Sequence, residues 1–136
     1  MKILRGTVFG TIAYFLLGWL VWGILLSDYF KANMNSCAAR PDGEMVWWAL
    51  ILSNLVFALV LTLILKWRGA KGVADGLTTG ALIGFLFALY IDASFWSMTT
   101  NFNSLGVAVV DVAVNTLFSA VIGVVIVLTW GKEKKA

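Results

Sequence analysis

The chain has 136 residues, of which 61% are hydrophobic and 12% charged, well below the roughly 25% charged residues of a soluble domain, so a soluble fold is excluded. With no histidine and a single cysteine, Cys37, it lacks the usual haem and zinc ligands, the side chain that titrates near neutrality, and any intrachain disulfide. The net charge of +3 is read as a marker of membrane sidedness, and no nucleic-acid partner, metal or cofactor is expected.

Four long apolar runs fill the chain, each close to the ~20 helical residues that cross a hydrocarbon core. The first, Ile3 to Leu26, follows Lys2 and contains Arg5. It exceeds the usual ~7 to 15 residues of a signal-peptide core, and no A-x-A-like site follows before Ser27 and Asp28, so it is read as a retained helix. Gly6, Gly10, Gly18 and Gly23 offer close-packing positions, and Trp19, deep in the run, is expected to pack inside the bundle or line a cavity. The connection from Ser27 to Glu44 carries the breakers Asn33, Asn35 and Pro41-Asp42-Gly43 and is expected to be irregular.

The second run, Met45 to Leu65, contains Asn54, which is expected to act as interhelical glue or to line a polar path. The basic turn from Trp67 to Asp75 leads into the third run, with Asp75 expected to cap the helix or satisfy its first amides. In that run, Gly76 to Trp96, the residues Gly76, Gly80, Gly84, Ala88 and Asp92 recur every fourth position and form one slowly turning stripe. Small residues on such a stripe let a second backbone approach, which is how membrane helices pack where lipid supplies no hydrophobic drive.

The fourth run, Leu105 to Trp130, carries a matching stripe of Asp111, Asn115, Ser119 and Gly123. Because it runs antiparallel to the third, Asp111 is expected level with Asp92. A carboxylate at the helix centre costs about 2.5 to 3.5 kcal/mol on insertion scales and needs a partner or a purpose. One reading makes the two aspartates a shared proton or cation site. The other leaves Asp92 a structural hydrogen-bonding group and puts Asp111 in the first helical turn, at the wet outer interface.

Lys2 and Arg5, then Lys66, Arg68 and Lys71, then Lys132, Lys134 and Lys135 flank one side, whereas the two other loops hold only Lys31 and Arg40. The positive-inside rule therefore puts both termini in the cytoplasm. Trp22, Trp47, Trp48 and Trp96 toward the outer side, with Trp67 and Trp130 toward the inner, read as interfacial belts. Asn54-x-x-Phe57 in the second run parallels Asn115-x-x-Phe118 in the fourth, which suggests two hairpins related as a parallel repeat.

The segments Leu17 to Met34, Val46 to Leu55 and Asp75 to Phe85 resemble those of small bacterial four-helix membrane proteins, similar to the uncharacterised family called domain of unknown function 1761. The resemblance implies a bacterial inner-membrane location and carries no activity, substrate or functional residue.

The expected architecture is thus a single all-α transmembrane domain, a four-helix bundle. Neither a P-loop, a G-x-S-x-G, a dinucleotide fingerprint nor a metal-binding histidine spacing occurs, so no catalytic residues are assigned. The leading expectation is a non-enzymatic interaction or accessory subunit that contacts lipid and forms a homo-oligomer or joins a larger membrane complex. A proton- or cation-coupled transporter or channel using Asp92 and Asp111 is the first alternative, and a binder of lipid or another apolar ligand the second.

Overall fold

The computed structural model describes residues 1–34 and 42–130; Cys37, Arg40, Pro41 and the C-terminal lysines lie outside the described residues. Among the described residues there are five α-helices: α1 (Lys2–Leu20), α2 (Ser27–Asn33), α3 (Trp47–Arg68), α4 (Val73–Met98) and α5 (Leu105–Thr129). A single wider turn, Val21–Leu25, continues α1, and its Leu26 amide donates to the Val21 carbonyl, five residues back. Among the described residues, four helices are long and apolar enough to cross a membrane: α1 with its wide turn, α3, α4 and α5. The protein is an all-α, multi-pass membrane bundle.

The bundle is apolar on its outside, as lipid demands. Phe9, Ile12 and Leu16 of α1, Ile51 and Leu55 of α3, and Leu82 and Leu86 of α4 all face outward. Trp19 is among them at 59% exposure, so it neither packs in the core nor lines an internal cavity; Gly18, one residue before it, is the position turned toward Phe118 of α5. Trp47, Trp48, Trp67 and Trp96 are exposed, as an interfacial belt requires, whereas Trp130 is buried at the end of the core. Its indole nitrogen donates to the Lys2 carbonyl at 2.9 Å and the Lys2 ammonium sits over its ring. That contact ties the start of α1 to the end of α5 and puts both at one end of the bundle.

α4 and α5 form the closest pair, α1 packs on both α3 and α5, and α3 meets α4 only sparingly. Where a twofold repeat would make α1 on α5 equivalent to α4 on α3, these two interfaces are unequal. A dry cluster of Leu61, Leu65, Phe118, Ile122, Ile126 and Trp130 fills the half of the bundle nearest the chain ends. A smaller cluster at the opposite end joins Phe30 of α2 to Phe102, Val107 and Ala108, with the Trp22 ring tilted against Phe30.

Two local expectations change. Ser27–Asn33, expected to be irregular, is helical, with Asp28 in its first turn and Lys31 in its last, both complementing the helix dipole. Phe30 anchors it to the bundle. At the α3–α4 turn, Gly69 adopts a left-handed conformation (φ 72°) that lets the Gly69 and Ala70 amides bond back to Lys66 and Leu65. The N-cap of α4 is Gly72 and not Asp75, which sits within the first turn, accepts from the backbone amides of Lys71, at 2.8 Å, and Gly72, and pairs with Arg68.

Candidate functional site

The α4 stripe determines the site's position. Gly76, Gly80, Gly84, Ala88 and Asp92 are all buried, together with Thr79. A Cβ on Gly76 would stand 2.5 Å from the Gly123 carbonyl oxygen; one on Gly80 would collide with the Ser119 carbonyl; one on Gly84 would overlap the Ser119 side chain and stand 2.9 Å from the Asn115 carbonyl. In the other direction, a Cβ on Gly123 would strike the Gly76 backbone. The two helices therefore touch backbone to backbone, and the predicted packing glycines act within the chain.

This register pairs Gly76 with Gly123 and Gly80 with Ser119, and its continuation sets Asp111 opposite Ala88. Asp92 is thus one turn farther along α4, and not level with Asp111 as the antiparallel pattern suggested. The offset brings the carboxyls together. Side chains tilt toward the N-terminus of their own helix, so Asp92 leans back along α4 while Asp111 leans the opposite way along α5. The two carboxyls lie within hydrogen-bonding reach of each other.

Both line one cavity of about 130 Å³ with Asn115, Ser119, Tyr14 and Phe87. The Asn115 side-chain amide donates to Asp111 twice, to its backbone carbonyl at 2.9 Å and its Oδ2 at 3.2 Å. Asp92 is 6% exposed, and its Oδ2 is buried without a hydrogen-bond partner. Among the described residues, no arginine or lysine lines the cavity. Asp111 is the seventh residue of α5 and half-buried, and so lies beyond the first turn in which it was expected.

Of the polar residues predicted for the site, Asp92, Asp111, Asn115 and Ser119 come together, and Asn54 does not. Asn54 is buried on the α3 face that carries Ala58 and Thr62. That face meets α1, where a Cβ on Gly6 would reach Thr62 at 2.7 Å and one on Gly10 would reach Ala58 at 3.2 Å. Tyr14 was the residue that sequence reasoning missed. It continues the Gly6–Gly10 stripe by one turn toward Gly18, and its ring is held against Phe57 and Phe118 at 5.1 and 4.8 Å. The four-residue spacing of Gly6, Gly10, Tyr14 and Gly18 was the available signal.

Among the described residues, no group of three or more acidic or cysteine side chains is placed to hold a metal ion. Residues 6–127 match the family model described as protein of unknown function DUF1761, and the chain belongs to that family. No curated protein and no solved structure matches it.

Proposed function

We propose that this member of the DUF1761 family is a small, non-enzymatic membrane protein that binds and exchanges a proton or a monovalent cation at the Asp92–Asp111 pair. The carrying observation is the buried, unpartnered Oδ2 of Asp92 in a cavity shared with a second carboxyl. Keeping such a group inside a bilayer is costly, and intramembrane carboxyls are commonly retained for proton or ion handling. Two carboxyls in contact hydrogen-bond to each other only with a proton between them, and a cation can take the place of that proton. The charge distribution orients the protein with both ends in the cytoplasm and suits a bacterial inner membrane.

An open channel is the less favoured form of this reading, because the half of the bundle nearest the chain ends is filled by apolar side chains. An accessory or self-associating role loses its main motive, since the α4 stripe is already occupied by α5. Such a role would use the lipid-facing surfaces.

The test is infrared difference spectroscopy on protein in nanodiscs, paired with dye-reported proton flux in liposomes. A carboxyl band that titrates with pH, shifts in Asp92→Asn and disappears when Asp92 and Asp111 are both replaced by Asn is expected, with flux reduced roughly tenfold or more in Asp92→Asn. A pH-insensitive carboxyl region, together with flux indifferent to both Asp92→Asn and Asp111→Asn, would refute the reading.

A further inference from the structure

A second depression lies beside the carboxyl cavity. It is a groove of about 390 Å³ between α3 and α4, walled by Leu52, Val56 and Val60 on one side and Phe87 on the other. Its lining is almost wholly apolar and carries no charged side chain. Its volume falls within the roughly 300 to 1,000 Å³ of ordinary ligand sites. It exists because α3 and α4 meet only sparingly, and the exposure of Leu52 and Val56 shows that it opens outward on the lipid side. Phe57 and Phe87 line both the groove and the carboxyl cavity. Their rings meet edge to face, with centroids 6.1 Å apart and planes at 90°. A pair of aromatic rings is thus the partition between an apolar trough and two carboxyls.

Other approaches are obstructed. Toward the chain ends the site rests on backbone-to-backbone packing of α4 and α5 and on the Phe118–Ile122 core. Toward the other end, Ala108, one turn before Asp111, belongs to the apolar cluster closed by Phe30 and Phe102. The groove, which shares Phe57 and Phe87 with the cavity, adjoins the carboxyls on the lipid side.

We propose that the Asp92–Asp111 site takes an amphiphilic organic ammonium, a protonated amine on an alkyl tail, which enters sideways from the bilayer past the Phe57–Phe87 pair. This rests on the proton or cation reading and names the cation. The tail replaces lipid in the groove, and the ammonium meets the carboxyls, where its N–H groups supply the donor that Asp92 Oδ2 lacks. A net cation suits the site better than a zwitterionic phospholipid, because neither lining offers an arginine or lysine to a phosphate. Binding exchanges charge for charge: the ammonium enters and the proton held between the carboxyls leaves.

The experiment uses the full chain in phosphatidylcholine nanodiscs, with proton release read by a pH-indicator dye and the carboxyl band by infrared spectroscopy. Three probes are titrated: decylammonium, methylammonium as the head alone, and decanol as the tail alone. Decylammonium is expected to release protons at a concentration roughly tenfold or more below methylammonium, and decanol to release none. Val56→Phe, or Leu52→Trp should that variant not fold, narrows the groove at a residue that does not line the carboxyl cavity. Either is expected to raise the decylammonium concentration required while leaving methylammonium unchanged, which separates passage through the groove from simple partitioning into lipid.

If the carboxyl band titrates but decylammonium has no advantage, or if both groove variants leave it unaltered, this inference falls and the proton or cation reading stands. Displacement of decylammonium by phosphatidylethanolamine added to the discs would make the occupant a lipid headgroup and also overturn it. A carboxyl band that does not titrate at all removes both.

Discussion

Asp92 and Trp130 mark two ways a polar atom is accommodated in this bundle. The Trp130 indole finds a carbonyl and closes the apolar core, whereas one Asp92 oxygen stays buried without a partner. An unsatisfied buried polar group costs about 1 to 3 kcal/mol, so the protein carries a stability deficit at this position that packing does not require. Replacing Asp92 and Asp111 together by Leu is therefore expected to raise thermal stability by about 1 kcal/mol or more while abolishing the carboxyl signal. Intrinsic tryptophan fluorescence during heating in detergent reads the stability. A large loss of stability in the double variant would instead mean that the carboxyl pair holds the helices together.

At the scale of elements, the contact between α4 and α5 depends on the absence of side chains. Alanine is a better helix former than glycine by about 1 kcal/mol, which by itself favours Gly80→Ala. The added carbon would strike the Ser119 carbonyl, a backbone atom that cannot rotate away, so the helices must separate and shift the carboxyl cavity with them. Overpacking of this kind costs typically about 1 to 3 kcal/mol and outweighs propensity. Gly106→Ala is the control: it lies in the first turn of α5, and its new carbon would meet only the Ser104 hydroxyl at 3.7 Å. Melting measurements should find Gly80→Ala destabilised and Gly106→Ala neutral or slightly stabilised; equal behaviour would count against backbone contact between α4 and α5.

The whole molecule has a packed half and an open half. Near the chain ends, α1, α3 and α5 close around Leu61, Ile122 and Ile126, and the Lys2–Trp130 contact seals them. Farther along, the sparse α3–α4 interface leaves the groove and the polar cavity side by side. On the orientation proposed above, with both ends in the cytoplasm, the packed half faces the cytoplasm. Reporter fusions at the two ends should both score cytoplasmic, and ends on opposite faces would contradict a fold in which residues 2 and 130 touch.

Much of this was legible without coordinates. The number of membrane helices follows from summed hydropathy along short stretches, which is a local property. The buried face of α4 follows from a four-residue period of small side chains, which any helix converts into a stripe. What remained hidden depended on partners distant in sequence. No local pattern says that Gly80 meets Ser119, that the register offsets Asp92 from Asp111 by a turn, or that Tyr14 rather than Asn54 joins the carboxyls. Trp19 and Trp130 changed places for the same reason, since an indole in an apolar run reads alike whether lipid or Ile126 lies beside it. Composition and periodicity determined which surfaces are small, polar or greasy; only the tertiary packing of four helices decided which of them met, because that choice is made by shape across the interfaces and not along the chain.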